Sequence, residues 1–588
     1  MTDMTFIDKN RQTKEAILLQ KRREILAAEP EKALDMILSS DLPARLIQSF
    51  SEQDLYFLTH GIGINDALPI LALSTSEQWG YMLDVEVWKK DTLDIDAVTR
   101  WLRILLVADG RRLLRWLLME RQEFFELYLF RNIEVIVREE NEDPSDFGDD
   151  FFTVDDYFYV RIKEKPDVIP DRGDDEMISQ EDLDVVVREL LEKLLEIDHG
   201  LYQSIMLEAV GVIAAEIEEE VFRMRNVRLA EQGFLPFDEA LEVFSPLTEE
   251  QIEEMTVIRK TRKFEEDEDV VFPLVHVAEI RGSNKFTDAL TLVDGMFDLG
   301  EFEMEFATLC NQIISAEQNV IREKETLSKV VRKAGAYVSI GLEILEGTGT
   351  AAQIEDGPIL QSLIMKHSLK NLFRLGVSRV MELKHQAERL SRDSWFVRNK
   401  LPLSFWGETY LGILGGLLVK RPVFYTQAGS GPLYRDFERL SDVEQTSRAL
   451  ADIKGFDELL SMIAPRLDEF SGFFLTYANV LLTVWAHRRA GHAEHNEGPV
   501  SLSDFKNVFS ELWETGERGV DQGGVILESA KKDFLGFLSR RSGFTEEEIS
   551  KRLGSLLENL FRDIEKEYGS VADKNLDPRY LAHFCVIK

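Results

Sequence analysis

Cysteine is almost absent, with Cys310 and Cys585 the two thiols in 588 residues. One possible pair in so long a chain is no disulfide framework, so a reducing, cytoplasmic setting is expected. Long apolar runs are missing as well. The most apolar stretches, Leu411–Val419 and Phe473–Ala486, fall short of the roughly 20 residues that a membrane-spanning helix needs. They read as buried helices or, for the first, a helix running into a strand, and no membrane insertion is expected. Met1–Leu19 carries Asp3, Asp8, Lys9, Arg11, Lys14 and Glu15 where a signal peptide needs an apolar core, so export is not expected either.

Positive charge is in deficit, because 69 Lys and Arg against 107 Asp and Glu leave a formal net charge of -38. Nucleic acid and anionic lipid are held largely through neutralised phosphates, and a polyanion repels both. Basic proteins and divalent cations remain favoured partners. The glycine signatures of phosphate-binding loops are missing too, since no Gly-Lys-Ser/Thr occurs. Gly347-Thr348-Gly349 follows a helix where a dinucleotide fingerprint needs a strand, and Gly429-Ser430-Gly431 has Tyr434 where the third glycine belongs. Both read as loops.

What the chain has is helix. With 44% hydrophobic and 30% charged residues it has material for a substantial core and a solvated surface. From Asn10 to about Glu134 apolar residues recur at helical spacing between short turns. Pro30 and Pro43 mark helix starts, Gly61 and Gly63 follow an apolar run, and Ser51 and Thr75 are N-caps with Asp54 and Gln78 three residues on. Such short helices must stack to bury their faces, which predicts a superhelical or solenoid-like array. Val98–Leu102 and Leu113–Leu117 each carry an Arg-Trp-Leu or Thr-Arg-Trp-Leu pattern, and Trp79, Trp88, Trp101 and Trp116 at helical spacing read as core packing.

Arg138–Asp150 reads as an acidic solvated loop, Phe151–Lys163 as a strand or hairpin, and Val270–Ile280 as an edge or bulged strand that could pair with it. Helices are expected over Glu181–Glu196, Gln203–Arg225, Glu301–Gln318, Ile321–Leu345, Leu360–Leu390, Phe473–Arg489 and Glu546–Tyr568. Gly233-Phe234 and Gly455-Phe456, each leading into an acidic-apolar run, read as glycine helix stops. The expected fold is mainly α, stacked helical hairpins with a small β insertion. Its expected segments are an N-terminal helical array (1–137), an acidic loop and hairpin (138–180), a central helical domain (181–396) and a C-terminal helical domain (397–588).

Motifs for catalysis are sparse. There is no Gly-x-Ser-x-Gly elbow and no His-Glu-x-x-His pair, and an EF-hand beginning at Asp143 fails at Phe147 and Val154. Cys310, among Leu309, Ile313 and Ile314, reads as a buried apolar residue. Two metal readings remain. Glu196/His199 and Glu382/His385 have the spacing by which helical bundles present half of a di-iron ligand set, although chance alone gives about 1.6 such pairs from 107 acids and nine histidines. His487, His492 and His495 form the tightest histidine group, following a helix expected to end at Gly491.

The segments DLPARLIQSF, SEQDLYFLTHG and DALPILALSTSEQWGYMLD, within residues 41–106, resemble the short-helix superhelix of the cytosolic N-terminal domain of magnesium transporters. The transporter's membrane segments have no counterpart, so transport does not carry over. Across the chain, STSEQWGYMLDVEVWKKD and RLAEQGFLPFDEALEVFSPL resemble an uncharacterised bacterial family of large helical proteins with no assigned activity. Neither resemblance supplies a catalytic residue. The sequence therefore leads to a helical scaffold that binds a protein partner with basic patches and needs no cofactor. The alternatives are a metal-dependent enzyme at the residues above and a divalent-cation-responsive regulator. Catalytic residues, partner identity and oligomeric state are left open.

Overall fold

The computed structural model describes residues 17–89, 91–139, 142–143, 147–148, 150–165, 178–210, 214–257, 273, 276, 284–293, 299–318, 324–347, 359–426, 432–492, 497–513 and 524–588. They form a mainly α protein with small sheets of two or three strands, as the sequence predicts. Its contacts divide into two compact units. The first comprises Met1–Val338 and Leu345–Arg374, the second Ser339–Ile344 and Leu375–Lys588.

In the first unit the short helices stack alternately. Pro30–Leu38 packs on Glu52–Ile62, which packs on Ser76–Glu86; Pro43–Gln48 packs on Leu68–Leu73, which packs on Ile95–Glu120. Two layers result, because each helix buries its apolar stripe against its next-but-one neighbour. The starts fall where the caps place them. Pro30 and Pro43 open their helices, Ser51 Oγ accepts the Asp54 N–H, and Thr75 with Gln78 closes a capping box. The tryptophans are core: Trp79, Trp101 and Trp116 are buried, and Trp79 meets Trp116 edge-on with the Arg112 guanidinium over its other side. Ile95–Glu120 is broken at Asp109, whose side chain caps the Arg112 N–H and starts a second helical segment.

Some expectations change. Ile133–Val137 is a strand, not the tail of the helical array. It and Phe152–Thr153 flank Phe158–Ile162 in a three-stranded antiparallel sheet, so Phe158–Ile162 takes its partners locally. The β-branched run Ile-Glu-Val-Ile-Val fits the pleat better than a helix. The Val270–Ile280 segment lies outside the described residues except Pro273 and His276, and His276 is helical. Helix Gln180–Ile197 stops at Asp198, which caps a new helix, His199–Glu208, by accepting the Leu201 N–H. Gly233 does end its helix, with φ +85°. Gly455 instead lies inside the long helix Leu440–Ile463, where a Cβ would come within 2.9 Å of Leu553 on Glu546–Tyr568. That glycine is a close-packing point.

The second unit is built on Leu440–Ile463, Tyr477–Arg489, Glu528–Ser542 and Glu546–Tyr568, with Gly407–Leu418 beside the hairpin Phe424–Tyr425 and Tyr434–Arg435. The Gly412 face of that helix is bare so that Tyr425 can lie against it; a Cβ there would sit 2.3 Å from the ring. Near the chain end, Val586–Ile587 pairs in parallel with Val500–Ser501, and the Cys585 N–H reaches Thr483. Both cysteines are free and buried. Burial pushes the Cys585 thiol up to about 11 and the Cys310 thiol further. Among the described residues, no helix is long and apolar enough to cross a membrane.

Candidate functional site

Glu196 and His199 do not share a helix face. Glu196 is in the last turn of one helix and His199 opens the next, both are exposed, and the imidazole lies 3.0 Å from the Gln203 amide. Glu382 and His385 do share Leu369–Asp393, but both are exposed and Glu382 accepts from Arg379 at 3.3 Å. The first pair belongs to the first unit and the second to the other. His487 and His492 are brought together, with ring centroids 5.0 Å apart. His487 Nε2 is 3.2 Å from the Pro499 carbonyl, and His492 Nε2 is 3.2 Å from Asp504, which also accepts from Ser501. This Asp504 belongs to the first turn of Leu502–Ser510, and the Ser501 hydroxyl and His492 hold its carboxyl below the ordinary value. His495 lies outside the described residues. Among those described, no three histidine, cysteine, aspartate or glutamate groups converge to hold a metal ion.

Other charged groups do converge. In the second unit, Tyr410 and Tyr477 meet edge-on at 6.1 Å, with Trp406 at 6.1 Å and Phe456 at 4.7 Å from the Tyr477 ring. Asp452 acts electrostatically on both Tyr410 and Tyr477, and Asp563 acts on Tyr477. Burial pushes the Asp452 carboxyl above its ordinary value, and burial with the two carboxylates pushes Tyr477 up to about 12. No lysine or arginine among the described residues forms an ion pair with Asp452 or Asp563. The indole N–H of buried Trp406 also has no acceptor there. Asp452 is therefore half-buried with no cation beside it among the described residues, where a buried carboxylate usually finds one or several donors. Contrast Asp457, one turn on and buried, which caps the N–H groups of Trp395 and Phe396 at 2.8 and 3.1 Å. That carboxylate is satisfied and structural.

In the first unit a polar line runs through the interior. Gln232 donates to Glu52 and Asn311 donates to the Gln232 carbonyl at 2.7 Å, while neither ring nitrogen of buried His276 has a hydrogen-bond partner among the described residues. Burial lowers the His276 imidazole to about 4, so it is neutral in the core. Nearby, Asp84 on Ser76–Glu86 gathers Arg121, Arg225 and Arg228. None of these groups has a sequence motif, because the partners of Asp84 are 37 to 144 residues away.

A fold of stacked helices with small sheets of two or three strands defines a mainly α protein. The chain belongs to a family of unknown function, DUF6178, whose model matches residues 10–587. No curated protein and no solved structure matches it. The likeness of residues 41–106 to magnesium transporters is shown by none of these comparisons.

Proposed function

We propose that the protein is a cytoplasmic helical scaffold that holds a protein partner through basic side chains. One observation carries the reading: half-buried Asp452 stands without a cation beside Tyr410 and Tyr477, with exposed Asp563 acting on the same Tyr477, in a chain whose net charge is -38. Tyrosine and tryptophan supply rigid contact area with a polar end, and a lysine or arginine entering there gains a carboxylate and ring faces together. Long-range negative charge adds steering, which raises the association rate and makes it fall with salt. The two buried free thiols accord with a reducing compartment.

The test is capture of partners from native extract by the full chain at low and at high salt, with Asp452→Asn/Asp563→Asn as the control bait. A basic partner retained by the wild type, released by salt and not retained by the variant supports the reading. Capture that ignores both salt and the substitutions refutes it.

A further inference from the structure

A second uncompensated site, of opposite sign, lies in the first unit. Asp84 is buried, and two guanidinium forks grip it: Arg121 at 3.0 and 3.2 Å, and Arg228 at 2.7 and 2.8 Å. Arg225, one turn before Arg228 on Ala214–Glu231, donates Nε to the Asp84 backbone carbonyl at 2.6 Å and Nη1 to Asn226 at 3.2 Å. Its Nη2 has no acceptor among the described residues. The backbone at Gly80 is bare where the Arg121 fork lies, since a Cβ there would be 2.5 Å from Nη2.

The charge does not balance. Two guanidiniums share the one carboxylate and a third, on Arg225, reaches only the backbone carbonyl, while the charges acting on Arg225 are Asp84 and, in opposition, Arg228. One fork already satisfies a buried carboxylate; a second and a third add repulsion that a helix staple does not need. Two positive charges are left over at a place that borders solvent, with the Arg121 and Arg228 side chains 14% and 32% exposed. Trp88 and Phe222 wall the Arg225 side, their rings 5.7 and 5.8 Å from its guanidinium.

We propose that Arg121, Arg225 and Arg228 are the receiving side of an oxyanion site whose ligand carries a phosphate group, free or as a small monoester. A phosphate at neutral pH bears about -1.5 to -2 charges, which matches the surplus, and its tetrahedral oxygens accept the outward guanidinium N–H groups. The site is independent of the acidic one in the second unit, and neither reading needs the other.

Calorimetric titration of the full chain with inorganic phosphate and with glycerol 3-phosphate tests it. Saturable binding is expected for one or both, about tenfold or more weaker in Arg225→Gln and Arg228→Gln and unchanged in Arg552→Gln, whose exposed partner is Glu458. Tighter binding of the ester identifies a phosphorylated small molecule as the ligand, and equal or tighter binding of the inorganic ion identifies free phosphate. Arg225→Lys, which keeps the charge and the stem, guards against misfolding and is expected to bind more weakly than wild type. No binding of either probe to the wild type at millimolar concentration overturns the proposal, as does equal binding in the glutamine variants.

Discussion

Replacing Asp84 by asparagine removes the anion from beneath three guanidiniums while keeping the volume. Breaking a buried pair by deleting one partner costs about 3–5 kcal/mol, because the remaining charge is left desolvated. Arg121 and Arg228 keep 14% and 32% of their side-chain exposure, so water screens part of the repulsion and the low end, about 3 kcal/mol, applies. Urea unfolding followed by tryptophan fluorescence suits the measurement, since Trp79, Trp88 and Trp116 all lie close to these arginines or to Gly80. The two units are fitted as separate transitions. With a slope of about 3 kcal/mol per molar urea, the first unit's midpoint moves down by about 1 M. Saturating phosphate at about 100 times its dissociation constant restores about 2.7 kcal/mol. A shift worth under about 1 kcal/mol means that the forks behave as ordinary surface pairs, and the energetic argument for the site fails.

Gly412→Ala drives a methyl into the Tyr425 ring and destabilises the second unit by about 1–3 kcal/mol, measurable as a lower urea midpoint, whereas Gly554→Ala in the same unit, where a Cβ meets only the Ser550 Cβ at 3.9 Å, does not lower it. Asp452→Asn stabilises the second unit at neutral pH: the folded carboxyl titrates above its ordinary value, so ionisation opposes folding there. The gain over wild type shrinks as pH falls through that raised value and vanishes below the ordinary aspartate range; a variant less stable than wild type at neutral pH contradicts an uncompensated carboxylate. His276 works in the other direction. Its folded value of about 4 lies below the ordinary 6.5, so its stabilising neutral form is fully effective above pH 6.5, and about 3 kcal/mol is lost as pH falls from there to 4. His276→Gln flattens that dependence in pH-dependent urea titrations, and an unchanged slope counts against a buried neutral imidazole.

Helix boundaries set by local chemistry were legible in the sequence. Ser51, Thr75, Pro30 and Pro43 act within three residues of the positions they govern, and Glu546–Tyr568 has the bounds that its periodicity predicts. Features decided by distant neighbours were not legible. Gly455 resembles a helix stop until Leu553 is brought against it, and Ile133–Val137 continues an apolar rhythm until Phe158–Ile162 offers a ladder. Asp198 carried a local signal as an N-cap, one that divides Glu196 from His199. The arginines around Asp84 and the aromatic residues around Asp452 are ordinary in composition and spacing. Their meaning lies in which charges lack a partner, a property of the folded chain.

The central claim is that the protein holds a basic partner at the acidic aromatic site of its second unit. The most direct measurement is cross-linking in living cells with a photoreactive residue in place of Tyr410, comparing chains with and without Asp452→Asn/Asp563→Asn. A discrete protein adduct is expected, whose cross-linked peptide contains lysine or arginine and which disappears with the two carboxylates. No adduct at this position, or one of equal yield without them, contradicts it.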